Sequence, residues 1–154
     1  MKKIIILLVL ISQILFLSAQ TLTVTGATTI PNTNPCLQSH ASLTIKNVSY
    51  NIVNVLCEKV IVDTSAGTSN FFCWGANCYP SNTYISTSYN TLDPGEGDNV
   101  DFGGYYDAFC DLASATIEYC FFPETDPTDK TCMTIIYNGS TTKFIDNKRK
   151  LEIL

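Results

Sequence analysis

The chain has 154 residues, 45% of them hydrophobic and 15% charged, with nine Lys and Arg against 14 Asp and Glu. The charged share lies well below the usual quarter, while eight Tyr and eight Phe make the chain rich in rings, which excludes disorder, coiled coil and collagen. A single His rules out any two-histidine metal site within one chain, and the shortage of bases argues against nucleic acid as a partner, because phosphate contacts need clustered Lys and Arg.

The first segment reads as a secretory signal. Met1-Lys2-Lys3 is a short basic start, residues 4–17 are an apolar run, and Ser18-Ala19 supplies small residues at the cut. That run has 14 residues, fewer than the roughly 20 a spanning helix needs. Cleavage after Ala19 is expected, with no stable membrane span left behind. No Cys follows the cut, so a lipoprotein anchor is not expected. Charge then divides the rest. Residues 20–142 hold Lys46, Lys59 and Lys130 against 12 acids, a net of −9, whereas residues 143–154 hold four bases and two acids. The expected organisation is a signal over 1–19, one domain over 20–142 and a polar tail over 143–154.

Within the domain no stretch has a helical period. β-branched and aromatic runs alternate with Gly, Pro, Asn and Asp clusters, and they predict strands over 21–26, 41–48, 53–62, 70–74, 84–88, 99–106, 115–122 and 131–137. Seven to eight short strands without an intervening helix predict an all-β, immunoglobulin-like antiparallel sandwich. Alternation orients some of them. Ala115, Ile117, Tyr119 and Phe121 share a core face, as do Met133, Ile135 and Tyr137, which turns Cys120 and Cys132 outward together.

A secreted chain meets an oxidising compartment, so six of the seven Cys are expected to pair. Cys120 and Cys132 are symmetric about Asp126 and would face each other across a hairpin. Cys73 and Cys78 enclose Trp74-Gly75-Ala76-Asn77, a sequence suited to a tight turn. Cys36 and Cys110 fall in connections at one end of such a sandwich, which leaves Cys57 as a buried thiol. No pair has C-x-x-C spacing, and a zinc site lacks paired knuckles.

Two surface sites stand out. Asp93, Glu96, Asp98 and Asp101 crowd one turn, and Asp98 and Asp101 are candidate Ca²⁺ ligands because that ion takes oxygen donors from curled backbone. The pattern is not the D-x-[DN]-x-[DN]-G loop, and a solvated acidic turn explains it as well; no other cofactor is expected. Phe71, Trp74, Tyr79 and Tyr84, with Phe72, gather around the stapled loop and could stack on a glycan or anchor a partner protein; the competing reading has Phe72 and Trp74 plugging the sandwich. Asn47-Val48-Ser49 and Asn138-Gly139-Ser140 are glycosylation sequons. His40 has no catalytic Ser or Cys at recognisable spacing, and Glu118 and Glu124 are a candidate glycosidase pair with no other site signature beside them.

The residues also carry a resemblance. His40…Leu43-Thr44-Ile45-Lys46-Asn47, Asn70-Phe71-Phe72-Cys73-Trp74-Gly75…Cys78-Tyr79, Leu92-Asp93-Pro94-Gly95 and Ile117-Glu118-Tyr119-Cys120-Phe121-Phe122 resemble small secreted proteins of Bacteroidetes. In those, an immunoglobulin-like domain with an FCW…CY motif precedes a C-terminal type IX secretion sorting domain. The likeness covers roughly residues 37–137, and the FCWGxxCY-like segment is its most specific part. Cys36, Cys110, Cys120 and Cys132 exceed the family's usual set. Residues 146–153 resemble the start of the sorting domain, and the sequence stops at Leu154, so a truncated sorting signal is expected. The resemblance implies a protein that is secreted or on the cell surface, or periplasmic if the sorting signal is missing. The function expected is a non-catalytic binding module for an unknown glycan or protein. A structural accessory domain of type IX cargo is the alternative, and a small secreted inhibitor or enzyme a third.

Overall fold

The computed structural model describes residues 20–139. The expected signal over 1–19 and the polar tail over 143–154 lie outside the described residues. One layer of the molecule is built on a bent strand, β3 (Ser39–Ala41) running on into β4 (Leu43–Asn47). β1 (Leu22–Gly26) lies antiparallel on β4 with Leu22 opposite Asn47, and the short β9 (Gly97–Asp98) pairs with the other edge of β4. β10 (Phe102–Asp107) pairs with β3, β6 (Ser69–Trp74) with β10, and β7 (Asn77–Tyr79) with β6. The second layer runs β2 (Thr29–Asn32), β12 (Thr131–Gly139), β11 (Ala115–Pro123), β5 (Val53–Thr64) and β8 (Asn90–Leu92).

This order is that of an immunoglobulin-like sandwich. β1, β3–β4, β10 and β6 occupy the A-B-E-D positions, and β5, β11 and β12 the C-F-G positions. The chain enters in one layer as β1 and crosses to the other as β2, which lies parallel on β12 with Asn32 opposite Gly139. Every other pairing is antiparallel.

Rings fill the space between the layers. Trp74 meets Phe121 edge-on at 5.2 Å, and Phe102 meets Phe121 at 5.3 Å and Tyr119 at 4.9 Å. Tyr119 and Tyr137 bring their hydroxyls to 3.3 Å of each other directly beneath β10. A Cβ at Gly104 would sit 2.8 Å from both hydroxyl oxygens, so only glycine lets β10 pass over this pair. Edge-to-face ring pairs of this kind add about 1 kcal/mol each beyond their area.

The disulfides are Cys36–Cys110, Cys73–Cys78 and Cys120–Cys132, with Cys57 a buried free thiol. Cys120 stands opposite Cys132 on the outer side of the β11–β12 ladder. The Cys36–Cys110 bridge fixes a strained turn, since Phe109 and Cys110 have φ of 51° and 72° in succession.

The strand expected over 84–88 does not form. It runs beside β5, giving Lys59 N–H a carbonyl at Tyr84 and drawing one from Cys57 for Ser86 N–H, with a single bridge between Glu58 and Ile85. Ser86 Oγ accepts from Cys57 N–H at 3.0 Å, so a side chain takes the donor the next ladder rung needs. β2, β7, β8 and β9 were not anticipated. Each is four residues or shorter, and β2 contains Pro31, which is tolerated because β2 lies at the edge of its sheet.

Candidate functional site

The aromatic cluster expected around the stapled loop is divided by the pleat. In β6, Asn70, Phe72 and Trp74 face the core, while Ser69, Phe71 and Cys73 face outward. Trp74 is therefore not a ligand platform: it is fully buried, and its indole N–H donates to Val55 O at 2.8 Å. Tyr79 is also withdrawn, with its ring 4.9 Å from Phe72 and its hydroxyl accepting from Ser88 N–H at 3.1 Å. Tyr84 is exposed, although its ring lies 5.5 Å from Lys59 Nζ.

Phe71 belongs to a different constellation. Tyr105 on β10 stands opposite both Phe71 on β6 and His40 on β3. The three rings stack in a row across the sheet, with centroids 4.5 Å apart for Phe71–Tyr105 and 4.6 Å for His40–Tyr105. Tyr105 leans back over Gly103, where a Cβ would come within 2.7 Å of its ring. Next to Gly103 lie Cys73 and Cys78, paired across β6 and β7. The outer face of this sheet is thus a row of ring edges, the middle one covering a buried glycine, beside a disulfide. Sequence reading missed Tyr105 and His40; the signal was the alternation of 102–107, which sets Gly103 and Tyr105 on the face opposite Phe102, Gly104 and Tyr106.

Lys59 is the other missed residue. It is 1% exposed, on the inner face of β5 in series with Val53, Val55 and Cys57. Its ammonium donates to Asn70 O at 3.3 Å and Ser81 O at 3.0 Å, with the Phe72 ring centroid 5.8 Å away. Burial pushes it down from 10.5 to about 8. This lysine ties the 80–86 segment to the sandwich edge.

The acidic turn is drawn together by Asn90. Its Nδ2 donates to Asp98 Oδ2 at 3.0 Å and Asp101 Oδ2 at 2.9 Å, and Asp98 Oδ1 accepts from Val100 and Asp101 N–H. Partial burial, then the Asp98 charge, holds the Asp101 carboxyl above its usual range. The two candidate Ca²⁺ ligands are neighbours, and the Asn90 amide already engages one oxygen of each. Gly75, with φ of 62°, leaves the room Asn90 needs.

The carboxylates weighed for hydrolysis do not meet. Glu118 points outward from β11, and Glu124 lies six residues on, beyond the strand end, bonded to Asn54. Six extended residues span about 20 Å, twice the widest separation of a glycosidase pair. Glu118 lies beside Cys120 and Cys132, whose sulfurs are consumed in their disulfide. His40 is committed to the ring row. Of the two sequons, Asn47 is fully buried and its amide is saturated, so no glycan can be carried there in the folded protein.

No family model matches the chain, and no curated protein does. Among solved structures, the N-terminal domain of PorA is 13% identical, with 76% of this chain and 96% of that one covered at a TM-score of 0.49. A conjugative transposon lipoprotein from Bacteroides eggerthii is 10% identical, with 78% and 99% covered at 0.49. The ASH/PapD-like domain of human CEP192 is 11% identical, with 79% and 85% covered at 0.46. The fold assignment rests on the strand order described above. Among the described residues no helix is long and apolar enough to cross a membrane.

Proposed function

We propose that the protein is an exported, non-catalytic interaction module that meets a protein partner through the outer face of β3, β10 and β6. The observation that carries this reading is the stacked row Phe71–Tyr105–His40, held on a sheet that the Cys73–Cys78 bridge stiffens. A flat face rich in preordered rings suits a protein surface, where a few aromatic anchors supply most of the affinity. Three disulfides support folding in an oxidising compartment. The basic-apolar start of the chain supports export, and the FCW…CY resemblance supports a type IX cargo at the cell surface or in the medium, or in the periplasm if the sorting signal is truncated.

The test is affinity capture from the envelope and medium of producing cells, comparing wild type with a Phe71→Ala/Tyr105→Ala variant of equal melting temperature. A partner held by wild type and released by the variant is the expected result. Identical captures from both, or none from either, would favour a structural accessory domain instead.

A further inference from the structure

At the end of the sandwich where β2 passes to β3 and β10 to β11, two loops leave three large apolar side chains in solvent. Leu37 follows Cys36 and is 64% exposed; Phe109 precedes Cys110 at 58%, and Leu112 lies just beyond it at 64%. The Cys36–Cys110 bridge joins the two loops, and Cys110 N–H donates to Pro35 O at 2.9 Å. The second loop is pinned at both feet by the buried Ala108 and Ala113, and Phe109 N–H donates to Asp107 Oδ1 at 2.9 Å. Its crest is left-handed at two successive residues that carry side chains, a conformation that persists only where surrounding contacts impose it. Grouped apolar exposure marks an interaction site, whereas single exposed residues do not.

The same end carries a buried donor without an acceptor. Asn32 is 3% exposed, and its Nδ2 has no hydrogen-bond partner among the described residues. A donor left so is costly, and it marks a missing acceptor. With Ile30, Pro31 and Leu37 it lines a cleft of about 240 Å³. Asn32 also stands opposite Gly139, in the last rung of the parallel β2–β12 ladder, where the described residues end. The offset of that ladder sets Lys143 against Cys36 and Phe144 against Leu37. Residues 34–37 fold into a turn, with Leu37 N–H donating to Asn34 O at 2.9 Å, so an extended 140–144 covers the distance with length to spare. Charge agrees. Asp63, Asp107 and Asp111 stand at this end, whereas Lys46 and Lys130 lie beside the β4–β5 and β11–β12 turns at the other, and Lys59 is buried. The residues beyond Gly139 bring Lys143, Lys148, Arg149 and Lys150.

We propose that the segment following β12, residues 140–145, docks on this end of its own domain. A main-chain carbonyl of residues 140–142 accepts from Asn32 Nδ2, Phe144 and Ile145 cover Leu37 and Phe109, and Lys143 meets Asp111. The segment is then a latch that ties the sequence after the domain to the Cys36–Cys110 tip. It needs no outside partner, so it stands or falls apart from the Phe71–Tyr105–His40 reading.

The test is amide hydrogen exchange and NMR on the secreted chain carried through Leu154. Exchange at residues 143–145 is expected to run about tenfold slower than in an unstructured chain, whatever the protein concentration. Leu37→Ser/Phe109→Ser, which alters only exposed side chains, is expected to abolish that protection. Phe144→Ser/Ile145→Ser is expected to abolish it at residue 143 and to shift resonances of residues 32–37 and 108–112. The inference is overturned if residues 143–145 of the wild-type chain exchange at the unstructured rate, or if their protection survives Leu37→Ser/Phe109→Ser, which would put the segment elsewhere. Protection lost on dilution would also overturn it, by assigning the tip to a second copy of the chain.

Discussion

Lys59 shows how one residue can set a pH dependence for the whole fold. Its ammonium is buried among carbonyls and rings, and burial lowers it from 10.5 to about 8. The folded value lies below the unfolded one, so between about pH 8 and 10.5 the unfolded chain binds more protons and stability rises with pH. Below pH 8 the cost of the buried charge is fully present. Cys57, Tyr119 and Tyr137 act in the opposite sense: burial raises all three, so their contribution falls as pH passes their ordinary values of 9.0 and 10.0. Lys59→Met isolates the rising part. Wild type should gain about 2 kcal/mol on that variant between pH 7.5 and 10.5 in urea titrations, and parallel curves would refute the assignment. The acidic turn carries a second prediction at this scale. Because Asn90 already bridges Asp98 and Asp101, millimolar Ca²⁺ should leave the melting temperature unchanged, and a rise of several degrees would show that the ion displaces the amide.

Among the elements, the disulfides differ in what they hold. The Cys36–Cys110 bridge closes a separation of 74 residues, Cys120–Cys132 one of 12 and Cys73–Cys78 one of five. Loop entropy then gives about 4.5, 3 and 2 kcal/mol. Paired Cys→Ser variants should fall in that order in urea midpoint, with Cys36/Cys110 the most damaged; an inverted order would mean that native packing, not the unfolded chain, sets their worth. Register made one of these bridges readable in advance, since two cysteines equidistant from a turn centre must face each other across a hairpin. The same alternation could not decide β6. In Asn70-Phe71-Phe72-Cys73-Trp74 both faces look apolar, and only pairing with β10 tells which set is inside. In β5 the sign was present: Lys59 follows Val53, Val55 and Cys57 on one face, and a buried lysine was legible there. The 84–88 segment misled because the Ser86 hydroxyl bonds to the backbone of β5 while its composition reads as strand.

For the molecule as a whole, strand-like runs and turn spacing were enough for a two-layer β sandwich, because short strands with no helix between them can bury their apolar faces only against another sheet. The candidate surfaces were less legible. The ring row is assembled from three strands separated by up to 65 positions, a distance over which periodicity says nothing. The crossing of the chain from β1 to β2 has a mechanical consequence. Because β2 and β12 lie parallel at opposite ends of the sequence, a pull on the two termini shears their rungs together instead of opening them one by one. Once they part, the bridges short-circuit the chain: force passes through residues 20–36, 110–120 and 132–139 alone, about 120 Å of contour. Everything from β3 to β10, the ring row included, sits inside a closed covalent loop and carries no tension, so a module tethered at one end and tugged at the other would stretch without losing its face.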